Sequence, residues 1–442
     1  MTLVTPETIR TLQRKLYVKA KQEPGFRFYS LYDKVYRLDS LSHAYDLARS
    51  NGGAPGIDGL TFEILEAKEG KAAFLAELEA ELRKQSYRVQ PIRRVWIPKA
   101  HGEKRPLGIP TIRDRVVQTA MKLIIEPIFE ADFCACSYGF RPQRSAHDAV
   151  DAVAEGLLRG YTEVIDADLS KYFDTIPHAK LMAVVAERIA DGAILALIKQ
   201  WLKAPVVEED RDGTRRSTGG RGQRRGTPQG GVISPLLANL YLHLLDRIWE
   251  RHGWTKELQA RLVRYCDDFV VLCKAGTQRP TDRVRQVLER LDLTLNEDKS
   301  RIVDARQGAF HFLGFSFRQR CSRRSGKRYP HVEPSRPSVQ RLKDEVKRLT
   351  DRRLTCVPLP DVVGRLNRTV RGWTNYFHHR NCTAALGHVK WYVEERVRTH
   401  LRKRHKLKNR DQGYSRFPSA YLYATIGLYK VPTTAPWCSA HA

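Results

Sequence analysis

The most constraining feature of the sequence is a pair of adjacent carboxylates in RLVRYCDDFVVLC, residues 261–273. Apolar residues flank Asp267 and Asp268 on both sides, which predicts a β-hairpin with Cys266-Asp267-Asp268 at its tip. Two adjacent like charges repel, and burying either one unpaired costs several kcal/mol. A divalent cation removes both problems, because Mg²⁺ prefers oxygen and is typically held by one or two carboxylates plus substrate phosphates. The alternative is an exposed Asp-Asp turn without a function.

A second acidic segment is VIDADLSKYFDTIPH, residues 164–178. It reads as a strand that ends at Asp168, with Asp166 two positions earlier and Asp174 six positions later. A strand-borne aspartate beside the hairpin pair would give three carboxylates for two metals, which is the ligand set of two-metal phosphoryl transfer. For Asp166 and Asp174, the favoured interpretation is a solvated turn or a helix cap.

A third segment with possible chemistry is GTPQGGVISPLLANLYLH, residues 226–243. Gly226, Gly230 and Gly231 allow the backbone to approach a ligand closely. Gln229 is expected at the tip of the turn, where its side chain offers both donors and an acceptor. The alternative is a plain turn before a helix.

The charge balance indicates a polyanionic partner. Lys and Arg number 77 against 49 Asp and Glu, which gives a formal net charge of +28. A surplus of this size attracts nucleic acid and disfavours acidic partners. A membrane surface is the rival, but interfacial helices usually have strong amphipathic anchors. The alternative to both is a basic soluble protein whose charge has no specific partner.

The cysteines and the apolar segments exclude several other classes. None of the eight cysteines forms a C-x-x-C pair, so a zinc ribbon or finger is not expected. Residues 1–30 lack a secretory h-region, and the chain has no run of 18 apolar residues. We therefore expect a cytoplasmic protein with reduced thiols and no membrane contact.

Periodicity predicts a mixed α/β region over roughly residues 50–320, followed by a helical module from about 338 to 442. Two short strands are expected in 93–110, one strand in 161–169 and one in FHFLGFSF, residues 310–317. The segment 208–226 reads as a basic loop or hairpin tip, and 318–338 as a basic connector. Trp373 and Phe377 recur at helical spacing and are expected in the core of the C-terminal module, whose last helix carries the basic run 396–410.

Four blocks in order resemble the reverse transcriptase and maturase proteins encoded by bacterial group II introns. They are KAHGEKRPLGIPTIRDRVVQ, DADLSKYFDTIPH, GTPQGGVISPLLANLYLH and YCDDFVVLC. NGGAPGIDGLTFE before them and FHFLGFSF after them also match, and LNRTVRGWTNYF (366–377) resembles the maturase-specific thumb. The resemblance covers about residues 30–430, and this order of blocks is far more specific than any one of them.

The resemblance implies an α+β right-hand polymerase fold with fingers and palm, followed by an all-helical thumb or maturase domain. The implied domains are an N-terminal helical extension over 1–60, fingers and palm over 61–320, and thumb over 321–442. It further implies a bacterial RNA-directed DNA polymerase that binds group II intron RNA or another structured RNA, a DNA primer or target, and dNTPs. Two Mg²⁺ ions, with Mn²⁺ as a possible substitute, would serve as cofactors.

Roles of individual residues also follow from the resemblance. Asp168, Asp267 and Asp268 would be the catalytic, metal-binding triad. The substrate-binding residues would be Lys99 and Arg105 for the triphosphate, Phe173 as the aromatic gate beneath the incoming sugar, and Gln229. Lys299 matches a palm lysine. The nucleic-acid-binding residues would be Phe312, Gly314, Arg368, Arg371, Arg402, Lys403 and Arg404. For Phe173 and Phe312 the alternative is packing in the core, and for the cations it is ordinary surface charge.

The sequence departs from the family in two ways. Cys266 stands where most members have Ala, although neither residue is a metal ligand in the family. The Cys/His-rich H-N-H endonuclease of longer relatives is not found, so we do not expect cleavage of the second DNA strand.

Three functions stay open on the sequence alone. They are an intron-encoded reverse transcriptase that aids splicing, a stand-alone reverse transcriptase acting in repair or phage defence, and a splicing-only RNA-binding maturase.

Overall fold

The computed structural model describes residues 3–98, 104–209, 214–220 and 222–436. Within these ranges the strands form three sheets. The strands are β1 (Ile92–Pro98), β2 (Lys104–Ile109), β3 (Glu163–Ala167), β4 (Val206–Glu209), β5 (Arg215–Thr218), β6 (Ala260–Tyr265), β7 (Asp268–Cys273), β8 (Arg301–Asp304), β9 (Phe310–Phe312), β10 (Phe315–Cys321) and β11 (Arg328–Pro334).

Helices precede, separate and follow these strands. They are α1 (Glu7–Gln22), α2 (Tyr32–Val35), α3 (Leu38–Asn51), α4 (Phe62–Lys68), α5 (Gly70–Arg83), α6 (Ile112–Glu130), α7 (Ala146–Leu158), α8 (Tyr172–Thr175), α9 (His178–Ala186), α10 (Gly192–Leu202), α11 (Ser234–Arg251), α12 (Trp254–Glu257), α13 (Gln278–Arg290), α14 (Arg336–Leu349), α15 (Leu359–Phe377), α16 (Thr383–Arg404) and α17 (Arg410–Arg416). Among the described residues, no helix combines the length and apolarity needed to cross a membrane.

The two acidic segments lie in one antiparallel sheet of order β6-β7-β3-β8. Ala167 of β3 pairs with Phe269 of β7, so the next residue, Asp168, reaches the level of Asp268. On the other side of β7, Tyr265 pairs with Asp268. The predicted hairpin is therefore confirmed, and the strand from the first acidic segment lies directly beside it.

Each face of this sheet is covered by a different hydrophobic cluster. Ile165 and Val271 point into the larger cluster, which α6 and α11 share. Val164 and Val270 point to the opposite face, where Phe residues of β9 and β10 and Phe377 of α15 pack. Since successive strand residues alternate between faces, Asp166, Asp168 and Asp268 all belong to this second face.

A second sheet has the order β2-β1-β4-β5. The two strands predicted in residues 93–110 are confirmed as the β1–β2 pair. The basic segment 208–226 contributes the β4–β5 hairpin, in agreement with the hairpin alternative. The parallel pairing of β4 with β1, in which Val206 lies opposite Ile92, was not predicted.

Two predictions about residues 310–338 are wrong. FHFLGFSF is not one strand, because the chain reverses between β9 and β10 at Leu313 and Gly314, with φ of +51° and +80°. The supposed connector is the rest of an antiparallel β10–β11 hairpin, closed by the start of α14. Its Arg and Lys residues suggested a loop, but the long-range strand pairing does not depend on local propensity. The boundary between residues 320 and 321 stays a prediction and falls within β10.

The C-terminal module, α14 to α17, has its own hydrophobic cluster. Trp373 packs half-buried between this cluster and the neighbouring one, in agreement with the prediction. Phe377 is buried too, but in the cluster on the second face of the β6-β7-β3-β8 sheet rather than in that of the C-terminal module. The basic run 396–410 was expected on a single helix. Instead α16 ends at Arg404 and α17 begins at Arg410, so the run continues through a turn.

A fully buried ion pair joins the β6-β7-β3-β8 sheet, called the palm sheet below, to α11. Arg264 of β6 and Asp246 of α11 have no exposed side-chain surface, and their atoms Nη2 and Oδ2 are 2.5 Å apart. Arg264 also donates to Asn239 Oδ1, Ser137 Oγ and the carbonyl of Cys266, at 2.8–2.9 Å. Burial alone would raise the pKa of Asp246, but the Arg264 charge outweighs it and holds that pKa at about 2.

Removing the charge of Asp246 should therefore destabilise the fold strongly. Asp246→Asn leaves the Arg264 guanidinium buried without a counter-charge, which costs about 3–5 kcal/mol. Urea unfolding followed by tryptophan fluorescence measures this loss. The matched control is Glu257→Gln, whose exposed pair with Arg279 should contribute less than about 1 kcal/mol. Equal unfolding midpoints for the two variants would contradict the role of the buried pair.

Candidate active site

The turn between β6 and β7 consists of Cys266 and Asp267, and Asp268 begins β7. Cys266 is 2% exposed and has a φ of +59°. Its carbonyl accepts from Arg264, which fixes the turn from below. Gly139 lies against the same turn, and a Cβ at that position would be 2.6 Å from the Cys266 nitrogen. The predicted tip is thus correct to within one residue.

Asp268 experiences the strongest electrostatic conflict in the site. Burial, followed by the charges of Asp166, Asp267 and Asp168, raises its pKa to about 7. The backbone N–H of Leu313 donates to its carboxylate and opposes that rise. The hairpin therefore holds a carboxylate in a place where its negative charge is poorly compensated by protein groups.

Asp166 is a further member of this carboxylate group, and its predicted place in a solvated turn or cap is wrong. It lies within β3, half-buried, between the partners Val270 and Arg301. Burial raises its pKa to about 6, Arg301 opposes the shift, and Asp168 adds to it. The signal that could have found it is the spacing of two from Asp168, which puts both residues on one face of a strand. Asp174, by contrast, is exposed on α8.

A lysine lies beside the strand-borne Asp168. Lys299 Nζ is 3.9 Å from Asp168 Oδ2, and both side chains are about half exposed, at 61% and 49%. The end of β3 is held by the loop that precedes β8, because the Asp168 N–H donates to Ser300 Oγ and the Asp168 carbonyl accepts from Asn296. Lys299 therefore lies next to the strand-borne aspartate.

The residues present fit a divalent cation. Their carboxylate oxygens are the ligands that Mg²⁺ prefers, and their mutual repulsion is what such an ion would relieve. In the described part of the chain, no group of three or more His, Cys, Asp or Glu side chains is arranged to hold a metal ion by itself. An open carboxylate group is typical of Mg²⁺ sites that substrate phosphates complete.

A cleft of about 470 Å³ lies between the β2-β1-β4-β5 sheet and the turn that carries Gln229. The Gln229 carbonyl accepts from the Gly108 N–H at 2.5 Å, and its side-chain Oε1 accepts from Arg105 Nε at 3.1 Å. A Cβ on Gly230 would lie 2.2 Å from the Gly108 carbonyl, so glycine is required there. The Phe173 carbonyl accepts from Thr227 at 2.6 Å.

Gln229 thus lines this cleft, and Arg105 is joined to it through the Gln229 side chain. Phe173 contacts the same turn through its carbonyl, while its side chain packs partly buried against the larger hydrophobic cluster. Arg94 of β1 also lines it, and sequence reasoning missed this residue because nothing in the local pattern distinguishes it from other surface arginines. Lys99, the other residue predicted to hold a triphosphate, lies outside the described residues.

The residues predicted to touch nucleic acid lie in different environments. Phe312 is 1% exposed, which favours the core alternative. A Cβ on Gly314 would approach Ser338 Oγ and the Phe377 ring at 3.2 Å, so this glycine serves the contact with α14 and α15.

The arginines and the lysine of the C-terminal module that were predicted to bind nucleic acid also differ in exposure and in contacts. Arg368 and Arg371 are exposed on α15, and Arg371 lies over the Tyr429 ring. Lys403 is exposed and Arg402 is half-buried. Arg404 donates to the carbonyls of Thr355 and Val357 at 2.8 and 2.6 Å, so this guanidinium has an internal structural role.

Comparison with known proteins agrees with this arrangement. Residues 97–317, half of the chain, match the family model described as reverse transcriptase (RNA-dependent DNA polymerase). The chain belongs to the reverse transcriptase family. Residues 339–417 match a second model, the maturase-specific domain of group II introns. That match falls on α14 to α17, the helical module that follows the palm of this reverse transcriptase.

Individual relatives support the same assignment. Protein YkfC of Escherichia coli is 37% identical over 353 residues, covering 71% of this chain and 90% of YkfC. The group II intron-encoded protein LtrA of Lactococcus lactis is 30% identical over 366 residues, covering 68% of this chain and 59% of LtrA. A solved structure of apo telomerase from Candida tropicalis is 13% identical to this chain. The two overlap over 52% of this chain and 53% of the telomerase chain, with a TM-score of 0.40.

The raised pKa of Asp268 predicts a pH-dependent stability of the metal-free protein. The folded state binds a proton more tightly than the unfolded state, because the pKa rises from the ordinary 3.8 to about 7. This contribution is full below about pH 4 and is lost as the pH rises through about 7. Melting temperatures measured in EDTA across this window should fall with pH by a few degrees.

The control for this prediction is Asp268→Asn, which cannot titrate and should show a flatter profile. Mg²⁺ added above pH 7 should restore the stability of the wild-type protein more than that of the variant. Identical profiles for both proteins would contradict the carboxylate assignment.

Proposed function

We propose that this chain is an RNA-directed DNA polymerase that binds group II intron RNA, assists its splicing and copies it into DNA. One observation carries the proposal. The β3 and β6–β7 elements bring Asp168, Asp267 and Asp268 to one end of the palm sheet, where burial and the neighbouring carboxylates raise the pKa of Asp268. The nucleotide cleft at Gln229 and the maturase-specific module extend the same assignment.

Asp168, Asp267 and Asp268 would hold two Mg²⁺ ions, for which Mn²⁺ could substitute. When bound, such ions activate the attacking 3′-hydroxyl and neutralise the leaving pyrophosphate. The protein's own part is to keep the carboxylates in position. Arg264 fixes the turn below Asp267, and the Leu313 N–H orients Asp268.

The fingers and the Gln229 turn would bind the incoming nucleotide. The Arg105 guanidinium, held by Gln229 at the rim of the cleft, would contact the triphosphate and stabilise charge that develops on it. The Phe173 carbonyl accepts from Thr227 of the same turn, and the partly buried ring of Phe173 would exclude a ribose 2′-hydroxyl. Together these contacts would orient a deoxynucleotide toward the primer end.

The partner RNA is proposed from the maturase module and the charge. LtrA, by its printed description, is encoded by a group II intron. A net charge of +28 supports binding to structured RNA, which proteins recognise largely by shape and phosphate contacts. The intact aspartates disfavour the splicing-only alternative. The sequence of the DNA that flanks the reading frame distinguishes the two remaining hypotheses, because a flanking ribozyme-like RNA would indicate an intron-encoded enzyme rather than a stand-alone one.

The first test is extension of a DNA primer on an RNA template with dNTPs and Mg²⁺. Asp267→Asn should lower the extension rate by at least about 100-fold, because one of the carboxylates that balance the ions is lost. RNA affinity should not change, since the substitution removes no positive charge. Asp33→Asn, at an exposed position on α2, is the control and should extend normally. Normal extension by Asp267→Asn would overturn the assignment.

The second test concerns the sugar. Phe173→Ala should increase the incorporation of ribonucleotides by about tenfold or more, because the excluding ring is gone. Phe173→Tyr keeps the ring and is the matched control, with wild-type discrimination expected. The ratio of kcat/KM for dNTP and rNTP measures the effect, and an unchanged ratio in Phe173→Ala would refute the gate.

A further inference from the structure

A cleft of about 480 Å³ opens in the helical module between α14, α16 and α17. We refer to it as the aromatic cleft, and the residues that matter for the argument are Lys343, Trp391, Glu395, Arg402, Arg410 and Tyr414. Its volume is within the usual range for small-ligand sites, about 300–1,000 Å³. It lies apart from the carboxylates and from the cleft at Gln229, and nothing in the proposed polymerase chemistry uses it.

Trp391 is the ring in this cleft with an open face. It is 53% exposed on α16, although large apolar side chains on a helix normally turn toward the core. The faces of Tyr414 are occupied by Arg398 and Arg410, at 4.7 and 5.5 Å from the ring centre.

The other ring, Tyr392, lies under Lys343 Nζ at 5.3 Å. His388 approaches Trp391 only at a tilt, with ring centres 6.0 Å apart. Trp391 is therefore available to stack with an outside group.

The charges around Trp391 favour an anion. Glu395 is the carboxylate in the cleft, and it is already satisfied by Arg398 at 3.0 Å, Arg410 at 2.6 Å and the Tyr414 hydroxyl. Burial would raise the pKa of Glu395, but these hydrogen bonds outweigh it and keep that pKa below its usual value.

Two cations in the cleft have no such partner. Among the described residues, Lys343 and Arg402 pair with no carboxylate, and Arg402 packs its aliphatic stem near Gly413. An open indole ring flanked by two unpaired cations combines a stacking surface with two phosphate contacts.

We propose that the aromatic cleft binds an unpaired nucleotide of RNA, with its base stacked on Trp391 and the adjacent phosphates contacted by Lys343 and Arg402. The proposal rests on the RNA-binding function proposed above and specifies where an unpaired segment of that RNA would be held. A base in a duplex offers no free face, whereas a base in a loop, bulge or end does. Aromatic stacking accepts any base, so this site would secure unpaired RNA without reading its sequence.

The test is fluorescence-anisotropy binding of a short unstructured oligoribonucleotide to the full chain. Trp391→Ala should weaken binding about tenfold, the loss expected for one stacked base, while Trp391→Phe should retain most of the affinity. The salt dependence should be the same in Trp391→Ala and the wild type, because no charge is removed. Tyr29→Ala, at an exposed aromatic side chain far away in sequence, is the control and should bind normally.

A second probe measures how much the bases themselves contribute to binding. With an oligonucleotide of the same length whose bases are removed, Trp391→Ala and the wild type should bind equally. A double variant, Lys343→Ala with Arg402→Ala, should weaken both probes and flatten their salt dependence. Wild-type affinity of Trp391→Ala for the base-bearing strand would overturn the inference. An equal loss on the abasic strand would also overturn it, because the ring would then act without stacking.

Primer extension separates this inference from the proposed function. Trp391→Ala should extend a stably annealed primer at the wild-type rate, because the cleft is remote from the carboxylates. A wild-type protein that binds RNA but extends no primer would refute the polymerase proposal and leave the binding comparison intact. A melting temperature unchanged by Trp391→Ala confirms that the exposed ring is not needed for folding.

Discussion

The Arg264 guanidinium donates all five of its N–H groups inside the protein, and the geometry of the candidate site depends on those bonds. They connect α11, the loop at Ser137 and the turn at Cys266. Asn239 extends the network by donating to the Gly139 carbonyl at 2.5 Å, which brings that glycine against the turn. A buried charge of this kind is costly unless every donor is satisfied. The acidic turn is therefore held rigidly from the side opposite to its carboxylates.

The face of the sheet that carries the carboxylates also joins the palm to the helical module. The Leu313 N–H donates to Asp268, and the Leu313 carbonyl accepts from the Tyr376 hydroxyl of α15 at 2.9 Å. Phe377 packs into the same cluster as Val164 and Val270. A shift of α15 would consequently be transmitted to Asp268 through a single residue, Leu313. The position of the helical module and the geometry of the carboxylates are thus mechanically linked.

Local sequence patterns predicted the elements whose stabilising contacts are themselves local. The acidic hairpin, the helical spacing of Trp373 and Phe377, and the β1–β2 pair all follow from periodicity and turn residues. The position of Cys266 also becomes intelligible. A positive φ in a tightly packed turn disfavours β-branched and bulky side chains, which a small thiol avoids.

The features that escaped prediction depend on partners distant in the chain. The parallel pairing of β1 with β4, the strand placement of Asp166 and the reversal at Leu313 each require a neighbour more than a hundred residues away or a contact with α15. Arg264 gave no signal, because an arginine in a strand reads as surface unless its buried partner is known. Residue chemistry therefore predicted that the three aspartates act together, while the contacts that support them needed the three-dimensional structure.

The central claim is that Asp168, Asp267 and Asp268 form one divalent-ion site. Iron(II) in place of Mg²⁺, with hydrogen peroxide added as the oxidant, generates hydroxyl radicals at the bound ion, and these radicals cut the nearby backbone. We expect cuts at the end of β3 and at the β6–β7 turn, near residues 168 and 266–268, which excess Mg²⁺ suppresses and Asp268→Asn abolishes. Mg²⁺-sensitive cuts confined to other parts of the chain, and unaffected by Asp268→Asn, would contradict it.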